Sequence, residues 1–243
     1  TLFWRYESRL AKQGGDPLID PAIFSVPGLG LSLLLALLFY SIGVFFLLFS
    51  IYLQGALHQG VLSAGLIFLP FGAGFLLGPL STPSARRLIG PYVNATGMVL
   101  EVVGLLGLAW LMASTPVGMS PAALPLALGL FVVGFGQGLA LPTLMHIVTG
   151  RVAPAWAGMI AGIASSTLQL STALSVAIIG GIFYAVLGTG KGPGEITHAF
   201  NVAIVCMSFC LAAGALLSIR LARRPAAQTA VLKTRGSSNA LRD

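Results

Sequence analysis

The stretch "MVLEVVGLLGLAW", residues 98–110, is apolar except for Glu101, and from Leu88 to Gly150 the chain contains no other Asp, Glu, Lys or Arg. The whole chain has the same character, because 56% of its residues are hydrophobic and 8% are charged, whereas a soluble domain carries about 25% charged residues. In a bilayer the backbone polar groups must pair internally, and long apolar runs without alternating polarity favour helices over a barrel. The sequence therefore predicts an all-α integral membrane protein.

Six apolar runs are long enough to cross a hydrocarbon core, which takes about 20 helical residues. Between them lie stretches rich in Gly, Pro or charge, such as "TPSARRLIGP" from residue 82 and "GTGKGPGE" from residue 188, which are typical of turns. The sequence thus predicts a six-helix transmembrane bundle over residues 29–222. Its spans are expected at about 30–53, 61–81, 92–113, 122–146, 157–187 and 198–221.

The basic residues are distributed unequally between the two ends of these spans. The chain has 13 Lys and Arg residues, and all but Lys191 fall on the side that holds both termini. The positive-inside rule places that side in the cytoplasm. The sequence therefore predicts a multi-pass protein of the cell inner (plasma) membrane with both termini cytoplasmic, and the net charge of +7 needs no nucleic-acid partner to explain it.

The two ends of the chain differ from the apolar middle. Residues 1–28 begin with Thr1 and end in a Pro/Gly-rich connector, and residues 223–243 are a basic segment. We interpret residues 1–28 as the cytoplasmic end of a preceding helix followed by the connector, and residues 223–243 as a basic cytoplasmic tail. This interpretation predicts that the chain is a fragment of a longer protein.

Small and polar residues recur at helical spacing within the predicted spans. Glycine pairs four residues apart predict faces where two backbones approach closely, and they are Gly74/Gly78, Gly134/Gly138 and Gly158/Gly162. The fifth span also carries a polar stripe with Ser165 and Gln169, and the fourth carries Gln137 within "GFGQG". Such groups either bond to a neighbouring helix or line a cavity, and the sequence leaves both alternatives open.

The order of several motifs resembles the fourteen-helix drug:proton antiporters of the major facilitator superfamily. The stretches that are similar are "PLIDPAIF" at 17–24, "IYLQGALHQGVLSAGLIFLPFG" at 51–72, "GFGQGLALPTL" at 134–144 and "AGMIAGIASSTLQLSTALSVAIIGGIF" at 157–183. The resemblance covers about residues 15–187, and it is carried by the order and spacing of the motifs.

This resemblance implies that the chain is the C-terminal half of a multidrug efflux transporter. It further implies alternating access, proton antiport and a small, amphipathic or cationic substrate held between this bundle and a missing N-terminal half. Arg86, Arg87 and Gly90 match the family's cytoplasmic gating loop, although the family's acidic residue is lacking there. Without the N-terminal half, autonomous activity is not expected.

Glu101 lies near the middle of the third span, on a stripe shared with Asn94, Gly97 and Gly104. An ionised carboxylate at this depth costs about 2.5 to 3.5 kcal/mol on insertion scales, which favours the protonated form. Glu101 is therefore a candidate proton carrier or a counter-ion for a cationic substrate. The alternative is a neutral glutamic acid that hydrogen-bonds to a neighbouring helix. The candidate coupling or binding residues are Asn94, Glu101, Gln137, Ser165 and Gln169.

Other classes of function find little support in the sequence. The chain has no HExxH or GxSxG motif, and His58, His146 and His198 lie near predicted span ends rather than together. We therefore expect no enzyme, no catalytic residue, no cofactor and no metal site. The remaining alternative is a non-transporting membrane scaffold or an inactive truncated half.

The asymmetry of the basic residues predicts which loops face the cell exterior. In a variant without Cys206 and Cys210, single cysteines at Ser114 and at Thr189 should react in intact cells with a maleimide that cannot cross the membrane. A cysteine at Ser84 should not react until the cells are opened. Labelling of position 84 from outside would contradict the predicted orientation.

Overall fold

The structure is a computed structural model that describes residues 28–150, 156–190 and 192–223. Every element in these residues is a helix, as the apolar runs predict. The α-helices are α1 (Leu29–Phe39), α2 (Phe45–Ile51), α3 (Val61–Ile67), α4 (Leu69–Ile89), α5 (Val93–Ser114), α6 (Ala123–Thr149), α7 (Ala157–Ser175), α8 (Gly181–Leu187) and α9 (Pro193–Ala222). The predicted connector and basic tail lie outside the described residues, except for Gly28 and Arg223.

Several of these helices join into longer segments. A 3₁₀ turn and a π turn extend α1 and α2 into a continuous segment from Leu29 to Ala56, and a π turn at Val176–Gly180 joins α7 to α8. By length and composition, five segments of the described chain are able to cross a membrane: Leu29–Ala56, Val61–Ser114, Ala123–Thr149, Gly158–Leu187 and Pro193–Ala222. These segments are consistent with an integral membrane helical bundle, whereas the count of six spans stays a prediction.

The turn predicted from residue 82 begins later and is shorter in the structure. Helix α4 continues through this stretch to Ile89, and the chain turns at Gly90–Tyr92. The sequence signal misleads because Pro79 and Pro83 lie inside α4 without ending it, as neighbouring groups often permit in membrane helices. The break occurs at Gly90, whose φ of 57° suits a residue without Cβ. This turn lies within Val61–Ser114, which has 54 residues.

The last predicted span also begins earlier than expected. Helix α9 starts at Pro193 rather than near residue 198. Proline is favoured in the first turn of a helix because its missing N–H would have no intrahelical partner there. Glu195 lies in the same turn, where a carboxylate interacts favourably with the positive end of the helix dipole.

Helix α6 packs against α4 through glycines on both helices. A Cβ added to Gly134 would overlap the backbone carbonyl of Phe71, and one added to Gly78 would lie 2.6 Å from the backbone of Gly138. Real Cβ atoms do not approach backbone atoms this closely. The predicted seams at Gly74/Gly78 and Gly134/Gly138 are therefore confirmed as a single contact between the two backbones.

A different set of α6 residues packs against α5. A Cβ on Gly136 would lie 2.8 Å from the backbone nitrogen of Glu101, and a Cβ on Gly97 would lie 2.6 Å from the carbonyl oxygen of Gly136. Because Gly134 and Gly136 are two residues apart, about 200° of rotation separates them on the helix. Helix α6 therefore lies between α4 and α5 and contacts each through its backbone.

The third predicted glycine seam is wrong for the described bundle. Apart from the backbone of α7 itself, no atom of the described residues lies within 4 Å of the position that a Cβ would take at Gly158 or Gly162. Spacing alone identifies small residues that permit a close approach, but it does not reveal whether a helix approaches them. This face of α7 is instead exposed, and it also carries Ser165 and Gln169.

Helix α9 closes the other side of the bundle. It runs antiparallel to α5, because Gly214 packs against the Met98 side chain while Gly194 lies beside Val117. Aromatic rings join α9 to the first segment, with Phe200 stacked on Tyr52 at 5.1 Å between ring centroids and on Phe49 at 5.8 Å. Such ring pairs contribute about 0.5 to 1.5 kcal/mol beyond their buried area.

Replacement of Gly134 by alanine should separate α4 from α6. We expect a loss of about 1 to 3 kcal/mol, the usual cost of overpacking, and hence a lower midpoint of thermal unfolding in detergent by circular dichroism. Gly107→Ala on α5 is the matched control, because no atom lies within 4 Å of its Cβ position. Equal midpoints for the two variants would contradict the close contact.

Candidate functional site

Three of the five candidate polar residues lie inside the bundle. Asn94 and Glu101 on α5 are 1% and 0% exposed, and Gln137 on α6 is 5% exposed. The stripe of Asn94, Gly97, Glu101 and Gly104 is buried along its length because its glycines admit the α6 backbone. We call Asn94, Glu101 and Gln137 the buried polar group.

Asn94 is tied to α6 by its amide. Its Nδ2 donates a hydrogen bond to the carbonyl oxygen of Ala140 at 2.9 Å and lies 3.5 Å from Oγ1 of Thr143. This bond secures the end of α5 that follows the Gly90 turn. The Oδ1 of Asn94 is buried and has no hydrogen-bond partner among the described residues, so half of the amide is left unpaired.

Glu101 is enclosed by the contact between α5 and α6. Its Cγ lies 3.1 Å from the position that a Cβ would take on Gly136, the residue before Gln137. Neither carboxyl oxygen of Glu101, nor Oε1 of Gln137, has a hydrogen-bond partner among the described residues. Buried oxygens in native proteins are nearly always paired, so this group requires protons or donors beyond those described.

The enclosure limits what is able to reach Glu101. The carboxyl group has no exposed surface, and the backbone of α6 lies against the backbone nitrogen and Cγ of Glu101 at Gly136. A drug-sized molecule would have to separate α5 from α6 to contact it. A proton or a water molecule needs far less space, so the geometry suits proton binding better than direct pairing with a cationic substrate.

The other two candidate residues lie on a separate surface. Ser165 and Gln169 are exposed on α7, on the same side as Gly158 and Gly162. Another side of α7 packs on the first segment through Ser171, which donates a hydrogen bond to the carbonyl oxygen of Leu37. Thr172 lies seven residues after Ser165, at the edge of the exposed side, and packs on Gly43. The five predicted residues thus form two groups rather than one site. We call Ser165 and Gln169 the exposed polar stripe.

The residues predicted to form the gating loop lie at one end of the bundle. Arg86 and Arg87 occupy the last turn of α4 and are exposed, and Gly90 begins the turn into α5. The turn contacts α9. Since α5 and α9 are antiparallel, the turn lies level with the last residues of α9, which include Arg220 and Arg223.

Some buried polar atoms were not identified from the sequence. Asn201 Oδ1, Ser208 Oγ and Ser218 Oγ on α9 are buried without a hydrogen-bond partner among the described residues. Asn201 is the single amide in α9, a signal that would have identified it. The serines carry no such signal, because serines occur in membrane helices without functional roles. No cluster of three metal-ligating side chains occurs within the described residues.

Comparisons with known proteins identify relatives for most of the chain. No protein-family model matches it. It is 34% identical to the puromycin resistance protein pur8 of Streptomyces alboniger over 68% of this chain and 33% of that protein. It is 30% identical to the cephamycin export protein CmcT of Amycolatopsis lactamdurans over 86% of this chain and 42% of that protein.

A third relative is the drug efflux pump JefA of Mycobacterium tuberculosis, which is 31% identical over 77% of this chain and 35% of its own length. The chain is similar to antibiotic and drug export proteins. It spans about a third to two-fifths of the length of these curated relatives. The relatives therefore support a place for the chain in the broad class of drug-efflux proteins.

Proposed function

We propose that this chain is the C-terminal half of a drug:proton antiporter of the major facilitator superfamily, which exports small amphipathic compounds across the inner (plasma) membrane. The similarity to named export and efflux proteins supports export of a small molecule. These relatives are named for drug resistance, export and efflux and none for an enzymatic reaction, which supports a transporter rather than an enzyme. Fourteen-helix architecture and proton antiport rest on the motif resemblance and on Glu101.

The enclosed carboxyl of Glu101 is the observation that carries proton coupling. It has no exposed surface and no hydrogen-bond partner among the described residues, and ionising it at this depth is costly. Glu101 therefore binds a proton when sealed and releases it when α5 and α6 open to water. Asn94 holds the end of α5 to α6 through Ala140, and Gln137 supplies an amide beside the packing glycine.

The exposed polar stripe serves a different role in this proposal. Ser165 and Gln169 lie on a face of α7 that the described bundle leaves open. Uncharged polar side chains on such a face suit an amphipathic substrate, which approaches between this bundle and the missing N-terminal half. Substrate and proton then bind at different places, and movement of the helices couples them.

The turn between α4 and α5 is the proposed cytoplasmic gating loop. Gly90 provides the sharp backbone change, and Arg86 and Arg87 lie at the helix end that precedes it. Basic residues at this end favour a cytoplasmic location, with both termini on that side. No observation on the described residues specifically favours the alternative of a membrane scaffold or inactive half.

Glu101→Gln should separate proton coupling from folding. In a transporter that joins this chain to its missing half, we expect normal abundance, because the amide has nearly the same shape and avoids the cost of a buried charge. Proton-driven efflux should fall at least about 100-fold, the lower range for loss of a positioned proton-transfer group. Glu101→Asp should retain partial activity with a changed pH dependence. The assay measures efflux of a cationic dye and of an uncharged compound on either side of neutral pH.

Glu195→Gln is the matched control, because it makes the same chemical change at an exposed acid in the first turn of α9. It should leave efflux unchanged. Loss of efflux for the cationic dye alone in Glu101→Gln would show that the carboxyl pairs with substrate. Wild-type efflux of both compounds would show that Glu101 only fills space in the core.

A further inference from the structure

Four arginines lie at the same end of the bundle. Arg86 and Arg87 end α4, Arg220 lies in the last turn of α9, and Arg223 follows it; all four are exposed. The antiparallel packing of α5 on α9 places the Gly90–Tyr92 turn level with this end of α9, and the turn contacts α9. We call these four residues the arginine cluster.

No described acidic residue lies near the arginine cluster. Within residues 28–150, 156–190 and 192–223 the acids are Glu101 and Glu195. Glu101 is enclosed in the core, and Glu195 lies at the opposite end of α9 from Arg220. Positive charges at one end of the bundle without a described acidic partner repel one another, so an anion from outside the described bundle would stabilise this end.

Exposed apolar side chains precede the arginines on α4. Leu76 and Leu80 of α4 are 68% and 69% exposed, and helical spacing places Arg87 on the same side of the helix. A second exposed stripe begins at Tyr92, the last residue of the turn, and continues on α5 through Val99 and Val103 to Trp110.

The length of that stripe fits a membrane. Tyr92 and Trp110 are separated by about 27 Å along the helix at about 1.5 Å per residue, close to the hydrocarbon thickness of about 30 Å. Tyrosine and tryptophan are enriched at the two membrane interfaces. Because Tyr92 follows the turn that Arg86 and Arg87 precede, the arginines lie at the level of lipid headgroups.

We propose that the arginine cluster binds the phosphate headgroup of an anionic phospholipid whose acyl chains lie along Leu76 and Leu80. The apolar surface below the arginines argues for a lipid rather than a free anion, because a free phosphate gains nothing from exposed leucines. Guanidinium groups bind phosphate oxygens through paired hydrogen bonds. This proposal goes beyond the proposed export function and does not depend on it.

The test measures lipid binding to the purified 243-residue chain in detergent by native mass spectrometry. Phosphatidylglycerol should remain bound at concentrations where phosphatidylcholine does not. Each arginine replaced by glutamine should weaken phosphatidylglycerol binding about five-fold, because a basic residue near anionic lipid contributes about 1 kcal/mol. The double variant Arg86→Gln/Arg87→Gln should therefore bind phosphatidylglycerol about 25-fold more weakly. The double variant Arg86→Lys/Arg87→Lys keeps both charges and should lose less of this affinity.

Gln54→Glu is the control for net charge. It changes the charge by the same amount as Arg87→Gln, but Gln54 is exposed near Gly55, which packs on Ile196 in the first turn of α9, at the opposite end of the bundle. We expect binding equal to that of the unmodified chain. Arg220→Gln tests the site independently if the double variant does not fold.

Three results would overturn the proposal. Binding that is unchanged in both Arg86→Gln/Arg87→Gln and Arg220→Gln would exclude the cluster. Equal weakening by Gln54→Glu and Arg87→Gln would attribute the preference to overall charge. Displacement of the lipid by an equal concentration of inorganic phosphate would show that the site recognises a free anion rather than a lipid.

Discussion

Helix α6 presents glycines on two opposite faces, and the backbones of α4 and α5 pack directly onto them. In a membrane such contacts replace the hydrophobic effect, which does not distinguish a leucine from a lipid chain, so association depends on close packing and interhelical hydrogen bonds. The contact at Gly134 and Gly138 holds α4, and the contact at Gly136 holds α5. Because α4 and α5 are consecutive, their positions on either side of α6 require the sharp turn at Gly90.

The same packing determines the chemistry available to the buried polar group. The α6 backbone lies against Glu101 at Gly136, and the carboxyl group has no exposed surface. Ser165 and Gln169 lie on an open face of α7 instead. In our proposal this separation assigns the proton to the core and the substrate to the open face, so coupling depends on movement between α5 and α6. Lipid bound at the arginine cluster would act on the turn that joins α4 to α5.

Much of the helical architecture could be predicted from the sequence, because long apolar runs and the cost of unpaired backbone groups leave few alternatives. The sequence predicts the end of α4 too early, because the prolines near residue 82 indicate a break in the helix. Helix α4 continues through Pro79 and Pro83, and whether a membrane helix does so depends on its neighbours. Glycine spacing identified the α4–α6 contact but also suggested one at Gly158 and Gly162, where no helix approaches. The division of the candidate residues into two groups could not be predicted, because it depends on which helices are neighbours.

Substrate-protected labelling tests most directly the claim that substrate and proton bind at different places. Single cysteines at Gln137 and at Gln169 would be introduced into a complete transporter without Cys206 and Cys210, and treated with a membrane-permeant maleimide with and without a transported compound. We expect position 169 to react and to be protected by the compound, while position 137, which is reached only when α5 and α6 open, reacts far more slowly and is not protected. Reaction at position 137 as fast as at 169, with protection by the compound, would contradict it.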